Sequence, residues 1–418
     1  MTRGSYDEVL YNVCEKPVTG RATYKPPTET YLSRVSIPGI GDIMNQVPTQ
    51  VNPFEYAHER KDKIVWMCQN NNTLPTSPEI DRAIEECIRD KYYNLYPPQK
   101  GLPELKKMIL ADLGLDPKDF GVMITFGGTE ALYITMRAML SPGDEVITSD
   151  PSYLIIHNFI KLSGGKTTDL HIYSDPWKYS IETVKKAVTP KTKMLLLIDP
   201  LNPLGSSYTR DEVKALCDIA RDNNLLVIDD ITYRDFADSH TLSSDFAPER
   251  TLIAYSVSKN CGLAGMRIGA LVGPQAYLDK MKPYVVSELS VDIIGQKAAI
   301  AALKTKKEWM PRVAKITRNN QKLIKEAVEK VEGCFLPVYP SQANMFCIDV
   351  SGTGLKTNDI QNKLLYDHGV FVRAGDYVSK PFGPRFVRAS FSIPEEGVRK
   401  FCDVFPKVMD ELKKAQGK

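Results

Sequence analysis

The sequence predicts an α/β fold, in which helices cover a mainly parallel β-sheet and a smaller α+β domain follows. The first observation is that continuous apolar runs such as KMLLLID (193–199) alternate with segments of helical periodicity. The second is that polar residues or glycines follow these runs directly. The third is the length of 418 residues, which exceeds one typical domain core and indicates two domains.

The composition is that of an ordinary globular protein, with 43% hydrophobic and 25% charged residues. Lys and Arg total 54 against 51 Asp and Glu, so the formal net charge is only +3. A surface dedicated to nucleic acid or to an anionic membrane would need a larger positive excess. We therefore expect neither partner.

Cysteine and histidine usage argues against disulfides and metal sites. The 8 cysteines form no CxxC pair, and none of the 5 histidines stands at metal-ligand spacing from another. The N-terminus carries Asp7 and Glu8 and no long apolar run, so no signal peptide is expected. The most apolar run, MLLLI (194–198), is too short to cross a bilayer. These observations predict a cytoplasmic protein without a metal site.

The chain is predicted to divide into three parts. Residues 1–75 form an N-terminal arm that belongs to the small domain, residues 76–295 the large domain, and residues 296–418 the small C-terminal domain. The arm is rich in Pro, Thr and Tyr and lacks periodicity, with a short helix predicted near residues 40–44. A short strand and two helices are then predicted at 63–68, 78–91 and 103–113.

The large domain alternates strands and helices. Strands are predicted at 122–126, 145–150, 193–199, 225–230, 251–258 and 270–273. In a parallel sheet the carboxyl ends of the strands meet at one edge, where ligands bind. The residues that follow the strand ends are Gly127 to Thr129, Tyr153, Asn202, Asp230 and Lys259. We therefore expect them to form one active site.

The small domain is predicted to mix helices and strands. A helical region spans 291–331 and is interrupted by KTKKEWMPRV (304–313). The later strands are predicted at 335–341, 343–350, 369–375 and 385–392, and the last helix at 395–414.

Lys259 lies in the stretch SVSKNCGLAGMRIG (256–269), among small and polar residues. A surface lysine on a polar loop is the alternative interpretation, but the residues expected beside Lys259 supply what a reactive amine needs. Gly127, Gly128 and Thr129 would expose backbone N–H groups at a helix start, which suits a phosphate, although a plain tight turn is also possible. Ser256 and Arg267 are further candidate phosphate donors.

Three other residues suit a flat heteroaromatic ring. Asp230 could face a protonated ring nitrogen, Tyr153 could stack on the ring, and Asn202 could donate to a ring oxygen. The alternatives are a structural carboxylate, simple packing and a turn asparagine. Together with the phosphate site and the amine, these features describe pyridoxal phosphate bound to Lys259 as a Schiff base.

The order of motifs resembles the fold type I pyridoxal-phosphate enzymes, specifically the class I and II aminotransferases. The resemblance rests on the lysine segment together with DPLNPLG (199–205), DITY (230–233), YPPQKGLPEL (96–105) and FVRASFS (386–392). It implies a seven-stranded-type sheet in the large domain. It also implies that Tyr233 meets the ring hydroxyl, that Tyr96 reaches the phosphate in a neighbouring subunit of a homodimer, and that Arg388 binds the substrate α-carboxylate.

Within that family the sequence is similar to the histidinol-phosphate aminotransferase branch, on QNNN (69–72), GLAGMRIG (262–269) and GVFVRAG (369–375). The resemblance implies substrate-binding roles for Asn70 and Arg373, the latter for a substrate phosphate or carboxylate. A surface arginine is the alternative for Arg373. Asn71 and Leu204 depart from that branch, and Asn70 stands where aspartate aminotransferases have a glycine.

The resulting hypothesis is a pyridoxal-phosphate-dependent aminotransferase that moves the amino group of an L-α-amino acid to a 2-oxo acid. Lys259 would be its catalytic residue, moving the Cα proton as general base and acid. Two alternatives stay open at this point. One is a lyase, decarboxylase or oxidase with the same fold, and the other is a non-catalytic protein that kept the fold.

Overall fold

The computed structural model describes residues 52–285, 287 and 289–417 of the chain. Most of the predicted arm, including the short helix predicted near residues 40–44, lies outside the described residues. Residues 53–418 group into one compact unit. The division into domains at residues 75 and 295 therefore stays a prediction.

Seven strands form the central sheet: β2 (Gly121–Phe126), β3 (Glu145–Asp150), β4 (Lys166–His171), β5 (Thr192–Ile198), β6 (Leu226–Asp230), β7 (Thr251–Ser256) and β8 (Ile268–Gly273). Their order is β2-β8-β7-β6-β5-β3-β4. Only β8 runs antiparallel to its neighbours in this sheet, and the remaining pairs are parallel. The predicted fold class is confirmed.

The central strands are apolar on both faces because helices cover both sides of the sheet. In β5 the side chains of residues 195–198 are all at most 3% exposed, as expected for a parallel strand between two helical layers. The edge strand β4 differs, since its residues are exposed or half-buried. Its sequence, KTTDLH, has no apolar run, and it was therefore absent from the predicted strands.

Twelve α-helices occur in the described part of the chain: α1 (Pro53–Glu59), α2 (Pro78–Arg89), α3 (Pro103–Leu113), α4 (Gly127–Met139), α5 (Ile155–Leu162), α6 (Ile181–Ala187), α7 (Arg210–Asp222), α8 (Gln275–Met281), α9 (Ile293–Lys304), α10 (Lys306–Val328), α11 (Thr357–His368) and α12 (Glu395–Ala415). None of them is both long and apolar enough to span a membrane. Helix α7 begins with a capping box, in which Thr209 and Glu212 satisfy each other's backbone N–H groups.

A second, smaller sheet follows the central one along the chain. Its antiparallel strands are β9 (Met345–Asp349), β11 (Arg373–Ala374) and β12 (Phe386–Ser390), with β12 in the middle. A separate parallel pair joins β1 (Val65–Trp66) to β10 (Val370–Phe371). A cluster of buried side chains that includes Phe346, Phe391 and Phe401 fills the space between this sheet and helices α10 to α12.

Two predictions for this region are wrong. Residues 335–341 form no strand, and Phe335 makes only an isolated bridge to Asp349, because the two prolines in FLPVYPS cannot donate to a β-ladder. The expected interruption at 304–313 is helical except at Thr305, and α10 continues through Pro311. The indole Nε1 of Trp309 donates to the carbonyl of Ala302 at 3.1 Å, which joins the start of α10 to α9.

The capping box predicts a measurable effect on stability. We expect Thr209→Ala to lower the free energy of unfolding by about 1 kcal/mol, because it leaves a backbone N–H of the first turn of α7 unsatisfied. Urea unfolding followed by circular dichroism measures this change. Lys356→Ala is the matched control, since Lys356 is the N-cap of α11 but makes no side-chain capping bond. Equal effects of the two substitutions would contradict the capping role of Thr209.

Candidate active site

A cavity of about 550 Å³ lies at the carboxyl ends of the central strands. This volume falls within the range of small-molecule sites. The structure brings together around it all but two of the predicted site residues: Asn70, Gly128, Thr129, Tyr153, Asn202, Asp230, Tyr233, Ser256, Lys259, Arg267, Arg373 and Arg388. The exceptions are Tyr96 and Gly127, and Gly127 lies next to the lining residue Gly128.

Lys259 follows the end of β7 and extends its amine into this cavity. Its Nζ donates a hydrogen bond to the carbonyl oxygen of Gln69 at 2.8 Å. Burial lowers the pKa of the amine to about 7, and the positive charges of Arg388 and Arg267 act in the same direction. The neutral form of the Lys259 amine is therefore accessible near neutral pH.

Asp230 is the last residue of β6, and its carboxylate is buried. Oδ1 accepts hydrogen bonds from the backbone N–H and the hydroxyl of Thr232, at 3.1 and 2.6 Å. Burial raises the pKa of the carboxyl group, whereas the two bonds from Thr232 oppose this rise. No salt bridge to Asp230 occurs among residues 52–417 that are described, so a cationic group in the cavity would complete its environment.

The phosphate site predicted at Gly127 to Thr129 is the first turn of α4, rather than a turn that precedes the helix. The N-terminus of such a helix presents free N–H groups to an anion. The Arg267 guanidinium lies directly over it. A Cβ on Gly127 would lie 2.7 Å from Arg267 Nη2, so only glycine fits there while Arg267 keeps this position. Arg267 Nη1 also donates to the Ala264 carbonyl at 2.8 Å.

Ser256 and Tyr153 border the same part of the cavity. The Ser256 hydroxyl accepts a hydrogen bond from the backbone N–H of Ser258 at 3.2 Å. The hydroxyl groups of Tyr153 and Thr129 lie 3.3 Å apart. The hydroxyl groups of Thr129, Tyr153 and Ser256 therefore line the same cavity as the start of α4, where they could donate to a phosphate ester.

Arg388 lies in the middle strand β12 of the small sheet and is buried. Its Nη1 donates to Asn202 Oδ1 at 2.8 Å, and its Nη2 donates to the carbonyl of Cys68 at 2.7 Å. The Nε atom is buried and has no hydrogen-bond partner in the described chain. A guanidinium has five N–H donors, so Arg388 keeps donors for an anionic ligand.

Asn70 contacts Tyr233 across the cavity wall. Its Nδ2 donates to the Tyr233 hydroxyl at 3.1 Å, while Oδ1 is buried without a partner among the described residues. The backbone of Asn70 is left-handed, with φ of 55°, a conformation that asparagine and glycine tolerate better than most residues. Burial raises the pKa of the Tyr233 hydroxyl, which therefore stays protonated at neutral pH.

Arg373 is held by aromatic rings. Its Cζ lies 4.6 Å from the centroid of the Phe54 ring and 4.2 Å from that of Tyr377. No ion pair of Arg373 occurs in the part of the chain that the structure describes. Its charge is therefore stabilised by cation–π contacts alone within that part.

Tyr96 does not line this cavity. Its side chain is 80% exposed and borders a separate cavity of about 330 Å³, together with Tyr93 and Asp292. The role implied for Tyr96 concerns a neighbouring subunit, so it stays a prediction.

Several cavity residues were not among the predicted site residues, and they include Gln69, Thr232, Ser258 and Tyr377. Thr232 lies in the segment DITY and Ser258 in the lysine segment. Their closeness in sequence to Asp230 and Lys259 could therefore have indicated that they line the cavity. Gln69 contributes a backbone carbonyl, which residue identity does not reveal. No motif marked Tyr377.

The cavity fits pyridoxal phosphate. The start of α4 with Arg267 can hold a phosphate, and Lys259 offers an amine. The Asp230 carboxylate, which has no salt-bridge partner among the described residues, suits a protonated ring nitrogen. Asn202 and Tyr233 line the space between them. The Lys259 amine would supply the nucleophile for condensation with the cofactor's aldehyde, with loss of water.

Comparison with known proteins agrees with this fit. Residues 62–405 match the family described as aminotransferase class I and II. A probable aspartate/prephenate aminotransferase from Rhizobium leguminosarum bv. phaseoli is 31% identical over 377 residues, covering 83% of this chain and 92% of the relative. An aspartate aminotransferase from Pyrococcus abyssi is 27% identical and covers 89% of this chain and 98% of the relative.

Solved structures show the same similarity. Aspartate aminotransferase from Thermus thermophilus with maleate gives a TM-score of 0.74 at 25% identity, covering 85% of this chain and 95% of that one. An aromatic aminotransferase from Pyrococcus horikoshii OT3 gives 0.75 at 25% identity, covering 84% and 96%. This chain therefore belongs to the class I and II aminotransferase family and is a pyridoxal-phosphate-dependent aminotransferase.

Proposed function

We propose that the enzyme transfers the amino group of an L-α-amino acid that carries a second anionic group, with Lys259 as its catalytic residue. The observation that carries this proposal is the grouping of cations. The amine of Lys259 and the guanidinium groups of Arg267, Arg373 and Arg388 line one cavity, against the single carboxylate of Asp230 among its lining residues. Once a phosphate is matched to Arg267 and an α-carboxylate to Arg388, Arg373 still lacks an anion.

Lys259 performs the proton transfers in this proposal. Bound pyridoxal phosphate supplies an electron sink for the electron pair that is left when the substrate's Cα proton is removed. The neutral Nζ of Lys259 would take that proton and hold it for its return, because a lowered pKa lets one amine act as base and acid near neutral pH. The buried Asp230 carboxylate would keep the cofactor's ring nitrogen protonated, and Tyr233 and Asn202 would hydrogen-bond its ring hydroxyl.

Arg388 orients the substrate. Its Nε and the N–H groups not used by Asn202 and Cys68 are available to the α-carboxylate. Asn202 fixes this guanidinium from the side of the central sheet. The substrate carboxylate and the cofactor ring would therefore both lie beside Asn202.

Arg373 is proposed to bind the second anionic group, either a carboxylate or a phosphate. Several similar proteins are named for aspartate or for aspartate and prephenate, and both compounds carry a second carboxylate. The resemblance to the histidinol-phosphate branch would place a phosphate there instead. A relative from Thermococcus litoralis is named an aromatic-amino-acid aminotransferase, and the rings of Phe54 and Tyr377 make an aromatic side chain the alternative.

The remaining proposals concern the enzyme's assembly and location. The exposed Tyr96 supports a homodimer in which its side chain reaches the phosphate site of the partner subunit. The molar mass of the protein in solution would show whether it is a dimer. A cytoplasmic, biosynthetic role in amino-acid metabolism stays a prediction.

Replacing Lys259 tests the catalytic role. We expect Lys259→Ala to lose at least about 10²–10⁴-fold in turnover, because general acid–base catalysis disappears with the amine. The variant should also lack a visible absorption band that borohydride abolishes. Lys214→Ala, which removes an exposed lysine paired with Asp218, is the control. Multiple turnovers by Lys259→Ala, with keto acid released, would contradict the assignment. Release of CO₂, ammonia or peroxide by the native enzyme would instead favour a lyase, decarboxylase or oxidase.

The environment of Lys259 predicts its pH dependence in the cofactor-free protein. Because the pKa is lowered to about 7, the reactive neutral amine should form as pH rises through about 7. Exposed lysines should follow at about 10.4. Acylation of each lysine as a function of pH, read by peptide mass spectrometry, measures both midpoints. If Lys259 titrates together with the exposed lysines, its environment does not lower the pKa.

Replacing Arg373 tests the second anionic group. We expect Arg373→Ala to lower kcat/KM about 10- to 100-fold for aspartate or a phosphorylated amino acid, since a charge-assisted hydrogen bond is lost. For alanine the value should change less than about threefold. Steady-state kinetics with Arg399→Ala, which alters an exposed arginine paired with Glu395, provides the control. Equal losses for all substrates would rule out selective anion binding.

A further inference from the structure

Tyr377 lies between the two arginines that the proposed function assigns to the substrate. The Cζ atoms of Arg373 and Arg388 lie 4.2 and 4.9 Å from the centroid of its ring. Contacts of this length are attractive, because the face of an aromatic ring is electron-rich. One ring therefore stabilises two like charges that would otherwise repel each other.

The hydroxyl of Tyr377 is buried and has no hydrogen-bond partner among the described residues. A buried hydroxyl without a partner is unfavourable and rare in folded proteins. Tyr377 lines the same cavity as Lys259 and Arg388. Burial raises the pKa of the hydroxyl to about 12, so it is a neutral donor at physiological pH.

The charges around this hydroxyl favour an anionic acceptor. The described residues offer no carboxylate that pairs with Arg373 or Arg388. The nearby Cys68 thiol has a pKa raised to about 12 by burial and is neutral as well. A carboxylate or phosphate oxygen would satisfy the hydroxyl and neutralise the guanidinium groups at once, whereas an apolar side chain would leave the hydroxyl unsatisfied.

We propose that Tyr377 is a specificity-determining residue of this enzyme. Its ring positions the guanidinium groups of Arg373 and Arg388, and its hydroxyl donates a hydrogen bond to the second anionic group of the substrate. This inference rests on the proposed function, since it assumes that Arg373 and Arg388 bind the two anionic groups of one substrate. The inference adds a neutral hydrogen-bond donor, the Tyr377 hydroxyl, which distinguishes a diacid from a monoacid.

The first test removes only the hydroxyl. Tyr377→Phe keeps the ring and its contacts with both arginines. Binding of unreactive acids to the holoenzyme is measured by calorimetry, with acetate as the monoacid, succinate and glutarate as dicarboxylates, and 3-phosphonopropionate as a phosphate mimic. We expect the better-bound diacid to lose about 10- to 100-fold in affinity and acetate to change less than about threefold. Comparing the affinities of succinate and glutarate with that of 3-phosphonopropionate shows which anion the site prefers.

The second test removes the ring. Tyr377→Leu should weaken the diacid at least as much as Tyr377→Phe, and it should also raise KM for alanine about 2- to 10-fold, because Arg388 loses its cation–π contact. Tyr339→Phe is the matched control. Tyr339 also faces a cation, with Lys325 Nζ 5.4 Å from its ring, but it is 42% exposed and lies outside the cavity. Thermal unfolding midpoints check that each variant is folded.

The outcomes distinguish a failure of the role inferred for Tyr377 from a failure of the proposed function. If native enzyme prefers the diacid and Tyr377→Phe binds it equally well, the role of Tyr377 is wrong while the substrate class stands. If Tyr377→Phe weakens acetate and the diacid by the same factor, Tyr377 only supports the packing of Arg388. If native enzyme transfers amino groups without preferring diacids, both the second anionic group and the role of Tyr377 are wrong. If native enzyme transfers no amino group at all, the reaction itself is refuted.

Discussion

The buried guanidinium of Arg388 joins three segments that are far apart in the sequence. From the middle strand of the small sheet it donates to Asn202, after β5 of the central sheet, and to the carbonyl of Cys68, after β1. Hydrogen bonds from a charged donor contribute more than neutral ones, and leaving such a donor unsatisfied is costly. These bonds connect three parts of the cavity wall, because Arg388, Asn202 and Cys68 all line the cavity.

The same cavity concentrates positive charge. Four cationic side chains face one buried carboxylate, and like charges at short range disfavour their own protonation. Lys259 responds because its amine can release a proton, whereas the arginines cannot. Burial is the main cause of the lowered pKa of Lys259, and the neighbouring guanidinium groups of Arg388 and Arg267, which are proposed to bind anions, lower it further.

Most of the central site could be predicted because the carboxyl ends of parallel strands lie at the same edge of the sheet. A residue's place after a strand therefore indicates its place in the fold. Residues after the ends of β3, β5, β6 and β7 must meet at one edge, so Asn202, Asp230 and Lys259 were accessible to sequence reasoning. The edge strand β4 was not, since it is exposed and lacks an apolar run. The sequence predicts an interruption at Pro311, but α10 continues through it because packing of the surrounding helix outweighs the local cost of a proline.

The sequence indicates which residues line the cavity better than it indicates which of their side chains contact each other. The contact of Asn70 with Tyr233 spans 163 positions, and it depends on a left-handed backbone at Asn70. The place of Tyr377 between two arginines depends on the path of the short segment after β11. Neither periodicity nor spacing carries that information, because both describe elements and not the direction of single side chains.

Gly127 also decides how closely a positive charge can approach the start of α4. A Cβ at position 127 would lie 2.7 Å from Arg267 Nη2, and the backbone there is left-handed, with φ of 74°. Any other residue at this position would therefore strain the backbone and displace the end of the arginine side chain. The absence of one side-chain atom thus sets the distance between the guanidinium and the helix start.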